Sequence, residues 1–323
     1  MDSLDIRIIR EMLESKATSP VDSNVRKSLS SIARKLKVDE NTVKNRIERL
    51  RRSGFLRGWW VGINPNLVGQ KMAQIWFDVK NPSAKQEVIA KVSLIPGVAV
   101  IKNLFGPSLC IAFYYEGEQT LKKTTELISS IAGSSSTTCA NEPFPTCRIT
   151  LSSDDLRIIT SLQKEPLKPY TGIAKELGLS TKTVKRRIIR MTEGDALYLV
   201  AELDPKFLSG GIACGLLIFY EDPKRKYLVE EIVSYLGDQL IFANLDDLHH
   251  GYFALIIMNL ALAEQILNWA LAQKGVSSGR IDIVQEIISL YSVYEEQLEK
   301  LQHSSAYVPN TRNLRKNDAP PTS

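Results

Sequence analysis

The stretch TVKNRIERL, from Thr42 to Leu50, returns as TVKRRIIRM from Thr183 to Met191, at an offset of 141 residues. Each copy sets apolar side chains on one stripe and cations on the rest, the signature of a basic amphipathic helix. A chain that carries one such element twice must place it twice, which makes it a tandem repeat. The match runs in both directions. Upstream, LDIRIIREML parallels DDLRIITSLQ, with Asp5 against Asp155, and SIARKLKV parallels GIAKELGL. The first pair stands at an offset of 150, so the first copy holds about nine additional residues there, which fit in the polar segment SKATSPVDSNVRK. Downstream, INPNLVG parallels LDPKFLSG, and each copy then enters an apolar run, AQIWFDV or CGLLIFY.

Within each unit of about 145 residues the periodicity changes from helical to mixed. The second part reads strand, helix, strand, strand, helix, strand, the order of a ferredoxin-like domain. In the first copy this predicts strands or helices over Lys71–Val79, Ser83–Leu94, Val98–Leu104, Leu109–Tyr115, Glu118–Ile131 and Thr146–Leu151. The fold class is therefore α+β, with two winged helix-turn-helix domains alternating with two ferredoxin-like (βαββαβ) domains. The expected boundaries are 1–67, 68–151, 152–208 and 209–303, followed by a disordered polar tail over 304–323. Before that tail, Leu290, Tyr294, Leu298 and Leu301 share helical spacing and predict a packing helix.

The helix before each basic helix carries a small residue, Ala33 or Ala174, followed after ten residues by Val43 or Val184. Between them stand a tight turn, at Lys37-Val38 or Gly178, and a capping residue such as Asp39. Close crossing, a turn and an apolar pin make a helix-turn-helix. Its second helix then offers Asn41, Thr42, Lys44, Asn45, Arg46, Arg49 and Arg52, with Arg57 in the expected wing. The second copy offers Lys182, Thr183, Lys185, Arg186, Arg187 and Arg190. Cations neutralise phosphates and arginine reads guanine, while asparagine reads adenine. The partner these residues suit is double-stranded DNA. In FLRGWWVGI, Gly58 is the expected turn of a wing hairpin.

The net charge of +5 is modest, so the concentration of cations in two short windows carries more meaning than the total. Four cysteines without C-x-x-C spacing and three histidines give no metal-ligand pattern, and no cofactor is expected. The N-terminus has no signal-peptide pattern. The oily run from Gly251 to Ala272 is broken by Asn259, Glu264, Gln265 and Asn268, and reads as a strand followed by an amphipathic helix rather than a membrane span. A cytoplasmic, nucleoid-associated protein is expected.

The segment LDIRIIREML…SLSSIARKLKVDENTVKNRIERLRRSGFLRGWWVGINPNLVG resembles the DNA-binding half of the Lrp/AsnC (feast/famine) transcription regulators. The resemblance, in a tandem two-unit archaeal-type form, spans residues 4–69 most fully, then 154–210, and more weakly the two ferredoxin-like parts. It implies a transcription regulator that forms homo-oligomers through its α/β domains and responds to a small-molecule effector, commonly an amino acid. The family's Gly-x-x-Asp turn, which would hold that effector, is here GPSL, with Gly106 and Ser108 but no acid; in the second copy the acids of DDLHHGYF are displaced. An amino-acid effector is therefore not expected. Two rival readings remain open. Fused two-copy proteins of this fold resemble the family yet decarboxylate sirohaem, and His249-His250 invites that comparison. The acidic wing residues Glu193, Asp195 and Glu202 instead suit an interaction protein whose second unit has left DNA.

Overall fold

Local chemistry starts each helix. In the computed structural model, which describes residues 1–13, 28–134, 137–221, 226–245 and 250–303, the first unit opens with α1 (Ser3–Leu13), α2 (Leu29–Leu36) and α3 (Glu40–Arg52). Ser28 caps α2 by accepting from the Ser31 amide, and Lys37 ends it with a left-handed backbone, φ 56°. Asp39 caps α3, accepting from the amides of Asn41 and Thr42. The second unit repeats this with α6 (Ser153–Lys164), α7 (Tyr170–Leu177) and α8 (Thr181–Glu193); Gly178 makes the left-handed turn and Ser180 the cap. Val43 and Val184 are fully buried, each pinning its helix into a small core.

The expected wings take another form. β1 (Leu56–Ile63) runs straight through Gly58, with only a register irregularity between Leu56 and Gly58. It does not fold back as a hairpin. Instead it pairs antiparallel with β6 (Leu197–Leu203) of the other unit. Two aromatic residues and Val61 make this strand too apolar to leave an edge open, and pairing across units closes it. Each strand also packs into the opposite helix-turn-helix: Val61 and Ile63 enter the second core, and Ala201 and Leu203 the first.

The first ferredoxin-like part comprises β2 (Lys71–Asp78), α4 (Lys85–Val92), β3 (Val98–Leu104), β4 (Ser108–Tyr115), α5 (Gly117–Ala132) and β5 (Thr137–Glu142). The second comprises β7 (Ile212–Tyr220), α9 (Lys226–Leu236), β8 (Leu240–Leu245), β9 (His250–Ile257), α10 (Leu260–Leu271) and β10 (Val276–Ser289), and α11 (Ser292–His303) follows. The eight strands form one sheet in the order β5-β2-β4-β3-β10-β7-β9-β8. Long β10 makes the join, with Val276–Ile283 on β7 and Val284–Ser289 on β3. Helices cover one face of each half, and the faces without helices share a core of Trp76, Leu104, Cys110, Leu217 and Tyr252.

One strand lies elsewhere than expected. The fourth strand of the first part is Thr137–Glu142, not Thr146–Leu151. Pro143 and Pro145 lack the N–H a ladder needs, so the strand stops before them. The apolar residues of 146–151 serve the second helix-turn-helix instead, where Leu151 is buried. The run from Gly251 resolves as β9 followed by α10, and among the described residues no helix is long and apolar enough to cross a membrane. The packing helix is α11, whose Leu298 and Leu301 complete the second helix-turn-helix core. The tail over 304–323 and the polar segment over 15–27 lie outside the described residues.

Candidate nucleic-acid interface

A buried carboxylate organises each basic helix. Asp5 is fully buried, and Arg49 donates to both its oxygens, at 2.7 and 2.6 Å. Arg46 donates to Asp5 at 2.9 Å and to Asp2 at 2.6 Å. Its guanidinium beside Asp2 holds that carboxyl below its ordinary value. The second unit repeats the arrangement around buried Asp155, which accepts from Arg187 at 3.0 Å and Arg190 at 2.6 Å. Arg187 also reaches Asp154 and Ser152. A buried carboxylate needs such partners, because its desolvation is otherwise uncompensated. Four arginines picked from the sequence as DNA contacts thus hold the first helix of their own unit against the basic helix. Arg49 and Arg190 do so while still exposed at their outer edge.

The remaining candidates divide by their partners. Asn41, Lys44 and Asn45 are exposed along α3. Thr42 is half-buried, its hydroxyl donating to Asp39, whose carboxyl is lowered by that hydroxyl and by the amides of Thr42 and Asn41. Arg52 pairs with Glu48 at 3.3 Å, one turn away. Arg57 is not on a wing tip: it lies on the paired strands, 3.3 Å from buried Asp204 of the other unit. On α8, Lys182, Lys185 and Arg186 are exposed and have no ion pair among the described residues, and Thr183 sits at the cap. An open groove of about 670 Å³ runs beside α8, lined by these three cations, Arg190 and Arg148, with Glu193 as its acid. Arg148 was hidden from sequence reasoning by its place in a mistaken strand. Its amide bonds to the Gly194 carbonyl, which lays the chain alongside α8. Arg51, which flanks the basic face in the sequence, is exposed at the end of α3.

The expected effector turn is filled from within. Lys85, buried at the start of α4, donates to the carbonyls of Leu104 at 2.5 Å and Gly106 at 2.8 Å. Burial pushes its ammonium down in pKa, and Asp78 opposes this. Ser108 donates to Asp78. Gly106 and Ser108 therefore already have partners. The displaced acids of the second copy and His249 lie outside the described residues; His250 packs edge-on against Phe219, ring centroids 4.7 Å apart. Among the described residues no cluster of His, Cys, Asp and Glu is arranged to hold a metal. A cavity of about 200 Å³ lies between the paired strands β1 and β6 and the first half of the sheet.

Residues 151–192 match the AsnC-type helix-turn-helix domain, on the second copy rather than the first. Over 130 residues, 40% of this chain, the sequence is 28% identical to the HTH-type transcriptional regulator Ptr1 of Methanocaldococcus jannaschii, covering 82% of that protein. The crystal structure of the siroheme decarboxylase NirDL is similar over 94% of this chain and 99% of its own, with a TM-score of 0.51 and 16% identity. The same protein in complex with an iron-uroporphyrin III analogue gives a TM-score of 0.50 and 15% identity, over the same shares of both chains. At that identity the likeness establishes the arrangement of two helix-turn-helix and two ferredoxin-like parts. The chain thus carries an AsnC-type helix-turn-helix at residues 151–192, set within this two-unit architecture.

Proposed function

We propose that this protein is a sequence-specific DNA-binding transcription regulator that acts in the cytoplasm on the nucleoid, each chain presenting two basic helices as an internal pseudo-dimer. The observation that carries the reading is the pairing of β1 with β6, which ties α3 and α8 to one ribbon in opposite directions. Such antiparallel pairing is the isologous interface of a symmetric dimer, here within a single chain. Dimeric helix-turn-helix proteins use it to reach half-sites about 34 Å apart. Asn41, Lys44, Asn45 and Arg51 on one helix, and Lys182, Lys185 and Arg186 on the other, supply the contacts. Homo-oligomers larger than this pseudo-dimer are part of the reading, as is the division into domains at residues 67, 151 and 208. Selection of bound sequences from a random duplex pool, followed by titration at several salt concentrations, tests it. A two-part motif and a steep salt dependence are expected. Salt-insensitive binding without a motif overturns the reading.

A tetrapyrrole decarboxylase is the second reading, favoured by the full-length likeness to NirDL. The cavity weighs against it. At about 200 Å³ it lies below the roughly 300–1,000 Å³ of sites for larger organic ligands. Its lining has one cation, Lys102, and two acids, Glu142 and Glu202, an unsuitable balance for a polycarboxylate. Incubation with sirohaem under reducing conditions separates the readings, since carbon dioxide release would favour the enzyme.

A further inference from the structure

The cavity beneath the ribbon is walled by aromatic rings and ends on a charge. Trp60 of β1 stacks on Tyr294 of α11, centroids 4.3 Å apart, and meets Tyr198 of β6 edge-on at 5.7 Å. Tyr114 of β4 shares a hydroxyl contact with Tyr198 at 3.3 Å. Burial pushes the phenols of Tyr114, Tyr198 and Tyr294 up in pKa, so the wall is neutral. Lys102 on β3 faces this space. Its ammonium meets the Gln74 side-chain carbonyl at 3.0 Å and lies 4.1 Å from the centre of the Tyr252 ring. Neither is an anion, and Lys102 has no ion pair among the described residues. The two acids that also line the cavity are engaged: Glu142 accepts from the Gln74 amide at 2.7 Å, and Glu202 faces Arg57 at 3.9 Å. Gln74 thus turns its amide to the acid and its carbonyl to the lysine.

We propose that this cavity binds a small monocyclic aromatic carboxylate, its ring among Trp60, Tyr114 and Tyr198 and its carboxylate on Lys102. An apolar cavity of about 150 Å³ accepts a benzene-sized ring, so this one has room for a ring with a short acidic arm. A carboxylate supplies the direct ion pair that Lys102 lacks, since Glu142 acts on this ammonium only at a distance. The site is separate from the β3–β4 turn at Gly106 and Ser108, and it does not depend on the DNA-binding reading.

The test uses the full-length protein without DNA, so a failure of DNA binding leaves its outcome intact. Melting temperature and titration calorimetry are followed with sodium phenylacetate, phenylacetamide and phenethylamine. Phenylacetate is expected to give a saturable rise in melting temperature, and the amide and amine none. Lys102→Met is expected to weaken phenylacetate binding by about tenfold or more, as loss of a shielded ion pair should. If that variant fails to fold, Ala112→Leu fills the cavity without touching the charge and should abolish binding. Equal binding of acid and amide, undiminished binding by either folded variant, or no saturable shift with phenylacetate at millimolar concentration overturns the proposal.

Discussion

Trp60 stands directly opposite Val200 across the antiparallel pair of β1 and β6. With Pro65 and Pro205 marking equivalent ends, these two residues occupy the same place in the two units. A strand residue paired with its own equivalent marks a two-fold axis, so the internal dyad passes through this pair. The dyad is then broken in the sheet. β10 continues from its own half onto β3, whereas its counterpart β5 halts at Pro143. One polypeptide can thus keep the symmetry that DNA half-sites require while giving the two halves different surroundings.

Gly62 lies beside this axis, paired with Tyr198. A Cβ there would come within 2.5 Å of the Tyr198 ring and 2.7 Å of the Trp60 ring. Gly62→Ala is expected to push both rings aside and to destabilise the protein by about 1–3 kcal/mol, the usual cost of overpacking. Denaturant unfolding measures this, and an unchanged midpoint would mean that the ribbon yields freely.

Asp155 carries the second anchor. Asp155→Ala removes the buried acceptor of Arg187 and Arg190 and should cost about 3 kcal/mol, the lower end for breaking a buried pair, because both arginines reach solvent. Arg49→Ala acts by the same route in the first unit through Asp5. Loss of DNA binding in these variants should therefore come with a lowered melting temperature. Lys44→Ala and Arg51→Ala should lose binding at an unchanged one.

How far the sequence could be read follows from the range of the interactions. Asp39, Ser180 and Gly178 act within three or four residues, and their roles as caps and turn are visible in the string. The strands Val98–Leu104 and Lys71–Asp78 are buried on both faces and come through as apolar runs. The edge strand TTCANE has no such run, and the better-patterned TCRITL beyond the prolines drew the assignment away from it. The Arg49–Asp5 contact spans 44 residues, and a basic face alone gives no hint that half of it is turned to an acid. The partner of β1 lies in the other unit, which no local hairpin signal can announce. Lys85 was invisible for the same reason, because the turn it fills is 19 residues away.

That lysine supports a prediction about the turn. Lys85→Met keeps the stem but strips the Leu104 and Gly106 carbonyls of their donor; Gly106 is exposed and can turn to water, whereas the buried Leu104 carbonyl is orphaned at a cost of about 1–3 kcal/mol. Destabilisation in this range is expected. Because the native turn is occupied by Lys85, common amino acids should not raise the melting temperature of the wild-type protein; a clear saturable rise with one of them would show that the turn opens.

Acid should loosen the first helix-turn-helix below about pH 4. The carboxyls of Asp39 and Asp2 are both lowered in the folded protein, Asp39 chiefly by the Thr42 hydroxyl and Asp2 chiefly by Arg46. A lowered folded-state pKa means stability that is fully present above the unfolded value, about 3.9, and lost as pH falls through the folded value. Melting temperature followed from about pH 5 to about pH 2 should drop, and Asp39→Ala should reduce the slope below about pH 4. An identical slope in that variant would assign the acid sensitivity elsewhere.

The two basic helices should divide their labour. α3 presents Asn41 and Asn45, whose amides can read adenine, while α8 presents Lys182, Lys185 and Arg186 without asparagine, above a groove that also holds Arg148. Base contacts specify and phosphate contacts position. Replacing Asn41 and Asn45 by Ala should therefore relax the preferred sequence with a modest loss of affinity. Replacing Lys182, Lys185 and Arg186 by Ala should weaken all sites about equally and lower the log–log salt slope by about 0.9 for each phosphate no longer neutralised. Arg148→Ala, which lies outside both helices, should lower the slope by a further increment of that size. Competition assays on a panel of operator variants measure both effects. If the α8 variant changes the preferred sequence while the α3 variant does not, the roles are reversed; if neither alters the salt slope, the exposed cations are a solvated face.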